Sequence, residues 1–315
     1  MGRRRRFRPL RQRLELLLLR AIGALARALP FGAASGLGAT VGRAAHRLLA
    51  RRRRIAEENI ARALGDRPGG GTPESLAKRA FEQLGRSFLE FLALPAQSRD
   101  SVLARITWEG FDPIFERGRE GKGAVMLTGH FGNWELFGAA FGMKTGRLKY
   151  LLPPQTNAGA DAYLNEVRRR LGVEPLTIGY GMRAGLRALR EGAFLGMLPD
   201  QDARRAGIHV PFFGRPASTH TGPARLAIRA GCPIAVALME RTGPGRFHAR
   251  MRCVLVPDPS APEEAEVERL TRLLTAAIEE GIRERPDHWY WIHRRWKTPP
   301  PASPASATTA AGATT

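Results

Sequence analysis

The sequence predicts an α/β fold, a mainly parallel sheet flanked by helices. Three observations carry this. Short β-like runs alternate with helical periodicities through residues 124–256. The strand-like runs are near-continuously apolar rather than alternating, as strands buried on both faces are. The 315-residue chain is 43% hydrophobic, enough for one large core.

The elements follow in order. Helical spacing covers about 40–64, and "GDRPGGGTPES" is a loop. "SLAKRAFEQLGRSFLEFLAL" is a helix stopped by Pro95. "AVMLTG" (124–129) reads as a strand and "NWELFGAAFG" as a helix. "LKYLL" is a strand, then a helix runs near 159–171. "EPLTI" is a strand, "MRAGLRALRE" a helix, and "AFLGMLP" (193–199) a strand. "GPARLAIRAG" is helical, "PIAVALME" and "FHARMRCVLV" are strands, and "EEAEVERLTRLLTAAIEEGIRE" is a long helix. Alternation of this kind places ligands where strand ends meet helix starts.

The domain organisation expected is a basic, membrane-anchoring segment over 1–54, an α/β domain over 55–297 and a disordered tail over 298–315. Residues 1–54 hold fifteen arginines and one acid, Glu15. Arg13, Arg20 and Arg27 recur every seventh position and share a helical face. Leu14, Leu17, Leu18, Ile22, Leu25 and Leu29 cover much of the remainder. The pattern fits a helix lying in, or spanning, an anionic membrane; an ordinary amphipathic helix packed on the domain is the competing reading. The tail has no charge and almost no large apolar side chain to order it.

The net charge is +21, from 50 Lys+Arg against 29 Asp+Glu, so acidic partners are expected. The two cysteines, Cys232 and Cys253, form no disulfide framework and read as core residues. His288 and His293 stand five apart, off the H-E-x-x-H pattern, in a segment dominated by Trp289, Trp291 and Trp296.

"LTGHFGNWELFG" (127–138) ends a strand and opens a helix. His130 falls at the strand's carboxyl end and Glu135 in the first helical turn, where a carboxylate suits the helix dipole. Glu135 is expected to hold one imidazole nitrogen, leaving the other as a base. The alternative is a buried histidine and a carboxylate that only caps the helix. Gly129 and Gly132 permit a sharp turn, whose N–H groups are expected to stabilise an oxyanion. Asp200, Gln201 and Asp202 in "LPDQD" suit sugar hydroxyls, or pair with Arg204 or Arg205. Phe212 and Phe213 suit an acyl channel or the core.

"TGHFGNWEL", "GMLPDQD" (196–202), "VPFFGRPASTHTGPARLAIRAGCPI" (210–234) and "WIHRRWK" (291–297) together resemble the bacterial lipid A late acyltransferase family, over residues 10 to 297. The resemblance implies a glycerol-phosphate-acyltransferase-like fold. It implies transfer of a fatty acyl chain from acyl carrier protein, or acyl-CoA, to a lipid A precursor hydroxyl, with His130 and Glu135 as catalytic pair. Asn133, Trp134, Asp200, Gln201, Asp202 and Arg183 are the expected substrate-binding residues. No metal or cofactor is implied beyond the thioester co-substrate. The implied partners are acyl carrier protein, anionic membrane lipid and a glycolipid acceptor, at the cytoplasmic face of the inner membrane. Many members carry Arg-Pro where this chain has Pro153-Pro154, so Arg168 or Arg183 would take over phosphate binding, or the acceptor differs. Another glycolipid or a lysophospholipid is the alternative acceptor.

Two rivals remain. "IGYGMRAG" (178–185) imitates a dinucleotide fingerprint with the wrong spacing, GxGxxxG. A basic nucleic-acid binder would fit the charge, but no nucleic-acid motif accompanies it.

Overall fold

A computed structural model describes residues 8–66, 71–177 and 181–301. A seven-stranded sheet forms the centre, in the order β1-β9-β8-β2-β5-β3-β4. Its strands are β1 (Ile106–Glu109), β2 (Val125–Leu127), β3 (Leu148–Leu152), β4 (Val173–Thr177), β5 (Phe194–Met197), β8 (Ile234–Gly243) and β9 (Arg246–Leu255). β8, β2, β5, β3 and β4 run parallel, and β9 turns back antiparallel to β8 with β1 parallel beside it. A separate antiparallel hairpin joins β6 (Ile208–Phe212) to β7 (Arg215–Thr219).

Helices cover both faces. Before the sheet come α1 (Arg8–Ala28), α2 (Phe31–Leu48), α3 (Ala50–Leu64), α4 (Pro73–Ala93) and α5 (Arg99–Leu103). Between strands lie α6 (Asp112–Arg119), α7 (Trp134–Thr145), α8 (Ala158–Arg170), α9 (Gly181–Arg190) and α10 (Gly222–Ala230). After the sheet comes α11 (Glu263–Glu284). Leu89, Phe111, Phe137 and Phe141 fill the core on one face, and Leu127, Leu195, Leu270 and Trp291 on the other.

The glycine-rich stretch 31–42 is helical, contrary to the start near residue 40 that propensity suggests. Gly38 and Gly42 face Gly85 of α4 so closely that a Cβ on Gly38 would lie 2.5 Å from the Gly85 carbonyl oxygen. Close backbone packing outweighs the helix penalty of about 1 kcal/mol per glycine.

α1 divides its leucine face. Leu19 and Ile22 pack on the core and Ala26 is fully buried, while Leu10, Leu14, Leu17, Leu18 and Leu25 remain 50–62% exposed. Among the described residues no helix is long and apolar enough to cross a membrane. Tail residues 302–315 and fingerprint residues 178–180 lie outside the described residues.

Candidate active site

The site arises from strand register. β2 and β5 are parallel neighbours with Leu127 opposite Met197, and the Thr128 N–H extends the ladder to the Met197 carbonyl. Each chain then continues three residues beyond that pair, one to His130 and the other to Asp200. The two side chains therefore meet at the carboxyl ends of adjacent central strands, where α/β sheets bind ligands.

His130 Nδ1 lies 2.7 Å from Asp200 Oδ1, and the His130 backbone N–H donates to Asp200 Oδ2, also at 2.7 Å. The Trp289 indole N–H donates to the same Oδ2 at 2.8 Å. Burial alone would raise the Asp200 pKa. The charge and hydrogen bonds of His130, with the Trp289 bond, outweigh it and hold the carboxyl at about 2. An ionised Asp200 can only accept, so in its neutral form the ring carries its proton on Nδ1 and Nε2 is the acceptor nitrogen, with the Gln201 amide 3.4 Å away. The ring is 23% exposed, between Trp134 and Tyr290.

Behind Asp200, the buried Arg295 donates to the Ser218 carbonyl and the Thr219 hydroxyl. Burial lowers its pKa to about 10, against the opposing pull of Asp200 and Asp202.

Glu135 does not hold the ring. Its carboxylate takes a bidentate bond from Arg168 of α8, at 2.6 and 3.1 Å. The imidazole nitrogen it was expected to bind is already satisfied by Asp200. A guanidinium offers two charge-assisted bonds where the ring offers one. Arg168 is buried, which lowers its pKa, but the Glu135 charge and hydrogen bond raise it further.

The turn is clamped on all sides. Gly132 has φ +55°, and a Cβ there would lie 1.9 Å from the Met239 carbonyl oxygen. Its N–H donates to the His288 carbonyl, and the Tyr290 N–H donates to the His130 carbonyl. The amides of His130 and Gly132 are thus spoken for, so the expected oxyanion role does not fall to them.

The other expected site residues divide. Asn133 is buried: its carbonyl caps α7 through the Leu136 N–H, and its amide donates to Glu90, which is ion-paired with Arg241. It is a structural joint. Trp134 and Gln201 line the site, with the Gln201 amide nitrogen 3.4 Å from His130 Nε2. Asp202 faces away, accepting from Thr298, while its N–H donates to His293. Arg183 is exposed on α9 and lines no part of the cavity. Phe212 and Phe213 are buried against Trp289, Trp291 and Trp296.

His130 opens into a cavity of about 630 Å³. Glu135, Arg168, Gln201 and His220 give it polar walls, and Leu151, Leu152, Met182 and Met197 an apolar one. Sequence reasoning missed Trp289 as the clamp on Asp200, and His220, whose pKa burial lowers. Their only signal was position: Trp289 stands two residues before "WIHRRWK", and His220 lies inside "STHTGPARL".

The bacterial lipid A biosynthesis acyltransferase model matches residues 1–298. This chain belongs to that family, and it is an acyltransferase. It is 24% identical to a phosphatidylinositol mannoside acyltransferase of Mycobacterium tuberculosis (strain CDC 1551 / Oshkosh), covering 76% of this chain and 75% of the relative. It is also 24% identical to the Escherichia coli K12 lipid A biosynthesis lauroyltransferase, over 88% and 89%. The myristoyltransferase of the same strain is 24% identical, over 84% and 80%. Family membership turns the sequence resemblance into a finding and sets aside the dinucleotide and nucleic-acid readings.

Proposed function

We propose that this acyltransferase moves a fatty acyl chain from a thioester, on acyl carrier protein or coenzyme A, to a hydroxyl of a lipid A precursor or a related glycolipid. The observation that carries the reading is His130, held by Asp200 through Nδ1, with Nε2 beside the Gln201 amide and facing a part-apolar cavity.

His130 Nε2 takes the proton from the acceptor hydroxyl as its oxygen attacks the thioester carbonyl. Asp200 fixes the ring and stabilises the imidazolium. Collapse of the tetrahedral intermediate expels the thiolate, which takes the proton back from Nε2. No acyl-enzyme forms. The Gln201 amide, beside Nε2, is suited to donate to the oxyanion. Glu135 and Arg168 brace the cavity wall.

The exposed leucines of α1 support contact with a membrane, the fifteen arginines of residues 1–54 support its anionic cytoplasmic face, and the net charge of +21 supports an acidic acyl carrier as donor. The similarity to mannoside acyltransferases keeps an inositol-mannoside acceptor as the second reading.

The test incubates purified protein with mixed-chain acyl carrier protein thioesters and either a tetra-acylated lipid A precursor or a phosphatidylinositol mannoside, and reads product mass. A gain of one acyl chain on either glycolipid supports the proposal and picks the acceptor. Consumption of thioester to free fatty acid, with neither glycolipid modified, would overturn it.

A further inference from the structure

Outside the catalytic cavity, an open cavity of about 590 Å³ is lined by Arg51, Arg53 and Arg54 of α3 and by Arg294 of the carboxy-terminal segment. Two of the neighbouring guanidiniums are spent locally. Arg52 donates to the Ile292 carbonyl at 3.4 Å. Arg53 donates to the His46 and Arg47 carbonyls and lies 3.7 Å from Glu57. Among the described residues no carboxylate lies within 4 Å of Arg51, Arg54 or Arg294, although Glu57 and Glu58 line the same cavity. Four consecutive arginines at a helix start, with no acid in the first turn, oppose the helix dipole rather than complement it. An anion in the cavity removes that conflict, and guanidiniums grip phosphate oxygens in pairs.

The residues just before the cluster say where that anion comes from. Leu48 is 80% exposed and Leu49 50%, at the α2–α3 junction. Large leucines beside unpaired arginines form an edge whose apolar side suits acyl chains and whose charged side suits headgroups. We propose that Arg51, Arg54 and Arg294 bind the phosphate of an anionic lipid headgroup, with Leu48 and Leu49 entering the bilayer beside it. The site is separate from the catalytic cavity, and its occupancy does not depend on the acyl-transfer reading.

Full-length protein would be partitioned onto phosphatidylcholine vesicles with and without phosphatidic acid, and titrated with inorganic phosphate. The variant R51Q/R54Q/R294Q is compared with R119Q/R187Q/R246Q, which removes equal charge from exposed arginines elsewhere. All six positions are exposed, and circular dichroism confirms folding. For the cavity variant the expected result is partition onto phosphatidic-acid vesicles lower by about tenfold or more. Partition onto phosphatidylcholine stays unchanged, and the control variant binds nearly as wild type. L48S/L49S also lowers partition, without touching the arginines. An equal fall in both arginine variants would reduce the site to net charge and overturn the proposal. Inorganic phosphate binding as tightly as the vesicles would make the ligand a soluble anion, also overturning it. So would partition of R51Q/R54Q/R294Q onto phosphatidic-acid vesicles at the wild-type level.

Discussion

Asp200 holds His130 twice, through the ring nitrogen and through the backbone N–H, both at 2.7 Å. One carboxylate thus fixes the ring's tautomer and the turn that carries it. Seventy residues separate the two in sequence, and only the register of β2 against β5 brings them together.

His130→Ala removes the base and leaves the turn's backbone bonds in place. Acyl transfer by the folded variant is expected to fall by about 10²–10⁴-fold, measured as product per minute with thermal unfolding as control. A rate near wild type would exclude the imidazole from the chemistry.

Glu135 and Arg168 act as one unit. Glu135→Ala leaves a buried guanidinium unpaired and should cost about 2–3 kcal/mol, less than for a fully enclosed pair because both line an open cavity. The double variant E135A/R168A should be less destabilised than the sum of the two singles. Chemical denaturation of all four proteins checks this, and strict additivity would mean the pair is not coupled.

Much of the fold was legible because each parallel strand is an apolar run followed by a helical period. The His130 turn was legible too, since strand, glycine, histidine and helix start occur in eleven residues. Its partner was not. A carboxylate five residues along the chain invites pairing, whereas the real contact depends on which strands are neighbours, a property of topology. β1 and α6 were missed because they precede the strand–helix alternation that starts at 124, and the β6–β7 hairpin because "VPFFGRPAST" carries Pro211 and Pro216 and shows no clean alternation. The 31–42 helix was missed because its stability comes from packing against α4, not from its own residues.

The low pKa of Asp200 makes stability depend on pH. Its carboxyl titrates near 3.8 in the unfolded chain and at about 2 in the fold. The contribution, about 2 kcal/mol, is therefore complete above pH 3.8 and lost as pH falls through 2. Denaturation midpoints across this window should fall more steeply for wild type than for Asp200→Asn. Parallel curves would contradict the assignment.

Gly132→Ala places a methyl group against the Met239 carbonyl at a left-handed φ. A loss of about 2 kcal/mol or more is expected, with activity falling as the His130 turn shifts. Thermal unfolding and a transfer assay measure the two effects, and a fully tolerated substitution would show that the turn is not rigid.

The central claim is that Asp200, rather than Glu135, makes His130 a base. The most direct measurement is kcat for glycolipid acylation by folded Asp200→Asn. The account predicts a fall of about 10²-fold or more with little change in KM, because the ring loses its tautomer and the imidazolium loses its counter-charge. Turnover by Asp200→Asn near the wild-type rate would contradict it.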